Sequence, residues 1–209
     1  MLIDMKLSEF LDELASDSPA PGGGSASALS GSLSAGLICM VCRLSIGEKQ
    51  SADYNDKIQS CLSEIEMART SLSDLIDKDT EAFNGVMKSF KLPRNNDAEK
   101  AVRSQRIQEA FKDAVATPMQ ILNNCMRLLE TAFLISEKFN ENTASDLGVA
   151  VQMAYAGLHG AAMNVSINLP SIKDQSFVEQ TQSIVDSALK TAATIKTKTD
   201  KIISKKINS

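Results

Sequence analysis

Two stretches of this chain, Ser18 to Cys42 and Leu147 to Ile172, contain no charged residue. Each is long enough to cross a bilayer, which takes about 20 apolar residues. Neither reads as a membrane span. The first is loaded with Gly, Ser and Ala, and the second carries Gln152, His159, Asn164 and Asn168. A helix that avoids charge on every side is buried on every side, within its own subunit or against another. This chain must therefore wrap other amphipathic elements around two such helices.

The rest of the sequence supplies them. No strand-like alternation and no hairpin signal appears. A short amphipathic helix is predicted over Lys6 to Ala15, with Phe10, Leu11 and Leu14 inward. A loop broken by Pro19 and Pro21 leads into the first uncharged helix, Gly24 to Ile46, where Ala28, Ser32 and Gly36 are spaced for close approach of a neighbour. A long helix covers Ala52 to Phe90 and stops before Pro93. Another runs from Asp97 to Thr117, is kinked or restarted by Pro118, and continues to Phe139. The second uncharged helix, capped by Thr143 or Ser145, reaches Leu169 and stops at Pro170. A last amphipathic helix spans Gln175 to Lys205, its basic end suiting the helix dipole. The expectation is an all-α bundle of about six helices, some long, forming one domain over 1–209 with the uncharged pair central. With 43% hydrophobic and 23% charged residues, such a chain can bury a real core.

The net charge of -4 gives no broad basic field for nucleic acid. Aromatics at 4%, with no Trp, supply no stacking platform for single strands. The start, MLIDMKLSEF, lacks the apolar core of a signal peptide. Four cysteines are too sparse for a disulfide scaffold, which points to a reducing cytoplasm. Cys39 and Cys42 form a C-x-x-C inside an apolar run with no second pair and no nearby His, so core packing is expected rather than zinc or redox chemistry.

The apolar stripe of the long helix runs Ile58, Cys61, Leu62, Ile65, Leu72, Leu75, Ile76, Phe83, Val86 and Phe90, at spacings of mostly three and four. At 100° per residue its centre between Ile76 and Phe83 falls on Asp79. A carboxylate thus stands where a hydrophobe is expected. Two readings are open: a buried carboxylate paired with Arg or Lys, or a general acid or base whose pKa burial has raised. Asp77 lies off the stripe with Glu81, on the solvated side.

Pro21-Gly22-Gly23-Gly24-Ser25 stands directly before a helix. It is either a simple turn or a place where free N–H groups and a close backbone meet a ligand. Ser145 and Asp146 open the second uncharged helix and suit capping and the dipole. Asn164 and Asn168, four apart, need partners if buried: their own neighbourhood or the edge of a polar heterocycle. His159 is the only histidine, so no multi-His metal site is available and any His-dependent triad must use it; a satisfied core histidine is the plainer role. Lys91, Arg94, Lys100, Arg103 and Arg106 form either a solvated face or a positive patch for the carboxylates of a substrate tail.

Several segments, in order, resemble the cyclodeaminase domain of formiminotransferase-cyclodeaminase, a family that includes stand-alone bacterial cyclodeaminases and methenyltetrahydrofolate cyclohydrolases. They are Phe10-Leu11-x-Glu13-Leu14-Ala15-Ser16 leading into Pro21-Gly22-Gly23-Gly24-Ser25; Asp77-x-Asp79-x-Glu81-Ala82-Phe83 followed by Leu92-Pro93; Ala116-x-Pro118; Ser145-Asp146-x-x-Val149-Ala150; and Asn164-Val165-x-Ile167-Asn168-Leu169-x-x-Ile172-x-Asp174. The resemblance implies an all-α subunit, a homodimer and a folate pocket with Asp79 at the catalytic position. The Gly-rich loop and the Ser145-Asp146 helix start would lie near that pocket, and His159 matches no catalytic position. Gly22, Gly23, Gly24, Ser25, Asp77, Arg94, Arg103, Ser145, Asp146, Asn164 and Asn168 are the candidate substrate-binding residues.

The activity so implied is formiminotetrahydrofolate cyclodeaminase, which forms 5,10-methenyltetrahydrofolate and ammonia. Methenyltetrahydrofolate cyclohydrolase is the alternative, and a non-enzymatic dimeric helical scaffold is the rival outside the family. Neither reaction requires a metal or redox cofactor. Without a formiminotransferase domain in this sequence, a separate formiminotransferase is the expected source of a formimino group. No membrane or nucleic-acid partner is expected.

Overall fold

The computed structural model describes residues 1–47 and 50–208. It contains six α-helices, α1 (Leu7–Leu14), α2 (Gly23–Ser45), α3 (Ala52–Phe90), α4 (Asp97–Ser136), α5 (Ala144–Asn168) and α6 (Gln175–Ile207), and no strand among the described residues. The fold is all-α, as the missing alternation implies.

Helix ends fall where side chains can satisfy terminal N–H groups. Ser51 accepts from the Tyr54 amide at 3.3 Å to start α3. Asn96 accepts from Glu99 at 2.9 Å to start α4, and Asp174 accepts from Phe177 at 3.2 Å to start α6. Pro118 neither breaks nor restarts α4, which runs through it. A proline removes only the one donor aimed at the carbonyl of residue i−4, here Ala114, and Pro118 is buried by its neighbours.

The two uncharged helices are central and in contact with each other. They run antiparallel: the Ser30 hydroxyl donates to the Met153 carbonyl at 2.8 Å, and that of Ser34 to Ala150 at 2.7 Å. By length and composition α2 could cross a membrane, but it is packed between α3 and α5. The residue that admits close approach is Gly31 rather than Gly36. A Cβ on Gly31 would sit 2.8 Å from the Cys125 sulfur, whereas one on Gly36 would meet nothing within 4 Å. Across the helix crossing, a Cβ on Gly157 would lie 2.9 Å from the Ser27 carbonyl.

α3 and α4 pack on this pair, and α6 covers α5 and α4. Ile38, Leu72, Leu75, Ile121, Leu128, Leu129 and Leu158 fill the shared core. On α1 only Phe10 is buried, and Leu11 is 52% exposed, so that helix presents a narrower face than its pattern suggests. Cys39, Cys42, Cys61 and Cys125 are free and buried. Burial pushes the thiols of Cys42 and Cys125 up to about 12.

Candidate active site

The antiparallel arrangement brings four segments to one end of the bundle. The start of α2 meets the later turns of α3, the early turns of α4 and the end of α5. Between them lies a cavity of about 340 Å³, within the size range of small-molecule sites. Its walls are Pro19, Ala20, Gly22 and Gly23 before and at α2; Asp79, Ala82, Phe83 and Val86 of α3; Phe111 and Ala114 of α4; and Asn164, Ile167 and Asn168 of α5.

Among the described residues Asp79 is the one ionisable side chain on these walls, and no Arg or Lys pairs with it. Instead the Ser25 amide donates to its Oδ2 at 3.0 Å, and the Ser25 hydroxyl lies 3.4 Å from the same oxygen. Burial pushes the Asp79 carboxyl above its ordinary value, and the bonds from Ser25 pull against that rise. Among the described residues, then, Asp79 stands in a mostly apolar cavity without the cationic partner of a buried ion pair.

The glycines divide by position. A Cβ on Gly24 would overlap the Asp79 carboxylate, so this residue gives the carboxylate its place rather than touching a ligand. A Cβ on Gly23 would come 3.3 Å from the Asn164 amide nitrogen, and one on Gly22 would meet nothing within 4 Å. Ser25 is fully buried beneath Asp79 and is not on the cavity wall.

Asn164 donates to the Gly160 carbonyl and Asn168 to the Asn164 carbonyl, each at 2.8 Å. Both residues line the cavity, and an amide oxygen is an acceptor.

Besides Gly24 and Ser25, five expected substrate contacts do not meet the cavity. Asp77 accepts from the amides of Leu2 at 2.6 Å and Ile3 at 3.3 Å, so its carboxylate ties the N-terminal turn to α3 and is not simply solvated. Arg94 is exposed in the α3–α4 connection. Arg103 donates to the Phe90 carbonyl at 3.1 Å and stacks on the Phe90 ring, closing the end of α3. Ser145 and Asp146 stand at the far end of α5, about 28 Å along the axis from Asn164 at 1.5 Å per residue. Within one subunit the Ser145-Asp146 helix start is therefore remote from the pocket. His159 lies outside the cavity, against Tyr155 with ring centroids 4.3 Å apart.

The apolar walls Pro19, Ala20, Ala82, Phe83, Val86, Phe111, Ala114 and Ile167 are not among the site residues expected from the sequence. Phe83 and Val86 share the Asp79 stripe, which is the available signal. Phe111 carried none, because its place depends on how α4 crosses α3.

Comparison with known proteins shows the family and the fold. Residues 6–187 match the family model described as formiminotransferase-cyclodeaminase. The chain is 40% identical to a methenyltetrahydrofolate cyclohydrolase of Methylorubrum extorquens, over 95% of this chain and 96% of that protein. It is 32% identical to the rat formimidoyltransferase-cyclodeaminase over 92% of this chain but only 36% of that longer protein. A crystal structure of a formiminotetrahydrofolate cyclodeaminase from Thermotoga maritima superposes with a TM-score of 0.88 at 27% identity, covering 99% of this chain and 100% of that one. The near full-length relative bears the cyclohydrolase name, which favours the alternative activity over the cyclodeaminase expected first, and the scaffold reading gives way to a family of enzymes. On the cavity, the fold and these matches together, this chain belongs to the formiminotransferase-cyclodeaminase family, in its cyclodeaminase part.

Proposed function

We propose that this protein is a methenyltetrahydrofolate cyclohydrolase, with Asp79 as its general acid-base group. The observation that carries the reading is a mostly apolar cavity with a single ionisable wall residue among the described ones, in a chain similar along nearly its whole length to a protein of that name.

The chemistry suits the cavity. The methenyl bridge is a cation delocalised over N5, the bridging carbon and N10. An ionised Asp79 attracts it in surroundings that screen charge poorly. Water attacks the bridging carbon and Asp79 takes the proton that water gives up. The resulting hydroxyl adduct then breaks its bond to N5. Asp79 returns a proton to N5, the hydroxyl loses its own, and 10-formyltetrahydrofolate leaves with one proton released overall. A carboxyl raised toward neutral pH exchanges protons in both directions more readily than an ordinary one. The amide oxygens of Asn164 and Asn168 offer acceptors for the N–H edge of the pterin, and Phe83 and Phe111 offer apolar faces. The chain's part in the reaction draws on no metal or redox group.

The second reading is cyclodeamination of 5-formiminotetrahydrofolate, in which N10 attacks the formimino carbon and the same carboxyl protonates the departing ammonia. The likeness to the rat and Thermotoga maritima proteins supports it. For either reaction we propose a homodimer joined through the outer faces of α2 and α5, where Leu33, Leu44, Val149 and Met163 are exposed. The four free thiols support a reducing, cytoplasmic setting.

Near-ultraviolet absorbance of the methenyl form distinguishes the reactions. Accelerated loss of added methenyltetrahydrofolate supports the cyclohydrolase. Accelerated appearance from 5-formiminotetrahydrofolate, with no effect on hydrolysis, replaces it with the cyclodeaminase.

A further inference from the structure

The contacts of Ser25 present a competition. Its hydroxyl has one proton and two acceptors in reach. The Ile76 carbonyl lies at 2.7 Å and Asp79 Oδ2 at 3.4 Å. A carbonyl only accepts, so in the geometry observed the proton belongs to Ile76. The preferred acceptor depends on the state of Asp79. A carboxylate is a stronger acceptor than an amide carbonyl, because bonds to ionised groups are shorter and roughly twice as strong. A protonated carboxyl offers Oδ2 as a weaker acceptor.

The carbonyl that such a turn would vacate has a replacement at hand. Thr80 stands four residues after Ile76 on α3, the spacing at which a helical threonine hydroxyl donates back to the carbonyl. Its Oγ1 is buried and has no partner among the described residues.

The Ser25 amide keeps its bond to Oδ2 throughout, and Oδ1 is left for the proton that moves. We infer that Ser25 is the positioning residue of Asp79. Its hydroxyl turns from the Ile76 carbonyl to Asp79 Oδ2 when Asp79 gives up its proton, and back when the proton returns. Thr80 covers the Ile76 carbonyl in between. Both states of the carboxyl thus keep hydrogen-bond partners during turnover. This role rests on Asp79 being the acid-base group.

Among the described residues no other charge competes for the part. The wall residues before and at α2 and those from α4 and α5 carry no ionisable side chain, and Asp17 of the loop before α2 is exposed. On α4, Lys112 is paired with Asp174 at 2.7 Å and Asp113 is exposed. On α3, Asp77 holds the N-terminal turn, and Lys78 and Glu81 are exposed.

The test is a carboxyl 13C NMR titration of Asp79 in aspartate-labelled protein, assigned by its absence from Asp79→Asn, in the wild type and in Ser25→Ala. Loss of the hydroxyl removes a bond to the charged form. The expected result is an apparent Asp79 pKa higher by about one pH unit. In methenyl hydrolysis, the pH–rate limb should move the same way, with kcat falling and KM holding. In the Asp79→Asn background, Ser25→Ala should cost no further rate.

Ser25→Cys keeps the shape and the amide while weakening the donor, so it should shift Asp79 in the same direction if Ser25→Ala does not fold. An unmoved Asp79 titration, or an equal rate loss with and without Asp79, overturns the inference. The titration reads the coupling whether or not the protein hydrolyses methenyltetrahydrofolate. A shifted Asp79 with no folate turnover would therefore overturn the proposed function and leave this pair standing.

Discussion

The amide of Ser25 donates to Asp79 Oδ2 at 3.0 Å, joining residues 54 apart in sequence at the mouth of α2. The helix start that offers this N–H also carries the positive end of its dipole, which favours a carboxylate there. Burial opposes that preference and prevails. The carboxyl sits between these two effects.

Asp79→Asn is expected to lower turnover by about 100- to 10,000-fold, the usual worth of a general acid-base group, while the protein stays folded. Steady-state kinetics beside a thermal melt separates the two effects.

The same substitution changes how stability depends on pH. The folded pKa of Asp79 is raised, so between the ordinary value of 3.8 and the raised one the folded chain binds more protons than the unfolded. Stability contributed by this group is therefore present below that window and is lost as pH rises through it. Urea titrations across mildly acidic to neutral pH should show the difference, wild type minus Asp79→Asn, falling as pH increases. A difference that rises would contradict the assignment.

Gly24→Ala should be far more harmful than its size suggests, because the new Cβ overlaps the Asp79 carboxylate. Overpacking of this kind typically costs about 1–3 kcal/mol, and here the carboxyl itself must shift, so turnover should fall with stability. Gly36→Ala has open space and should instead stabilise α2 by about 0.5–1 kcal/mol. Chemical denaturation of the two variants checks the contrast.

The cysteines should resist thiol reagents until the chain unfolds. All four are buried, and burial holds Cys42 and Cys125 near 12, where almost no thiolate exists at neutral pH. Labelling by a disulfide reagent should follow the unfolding curve.

Local patterning reaches part of this site. A charge centred on an apolar stripe leads to Asp79 because a helix has a fixed period, and runs without charge lead to α2 and α5 because burial excludes charge. What periodicity cannot give is which side chains meet across helices. Ser25 reads as a ligand-contacting residue of a Gly-rich loop, yet its partners are Ile76 and Asp79 in another helix. Asp77 reads as solvated because its partners are the backbone amides of Leu2 and Ile3, some 75 residues away. Arg94 and Arg103 read as a patch because they are close in sequence, while Arg103 is spent on the end of α3. Ser145 and Asp146 belong to the same helix as Asn164, but a helix of that length sets its two ends apart.

The measurement that tests the central claim most directly is the decay of methenyltetrahydrofolate absorbance with purified wild-type protein and Asp79→Asn at matched concentration. The account predicts rapid hydrolysis by the wild type and a rate about 100- to 10,000-fold lower for a folded Asp79→Asn. Undiminished hydrolysis by that variant, or no acceleration by the folded wild type, would contradict it.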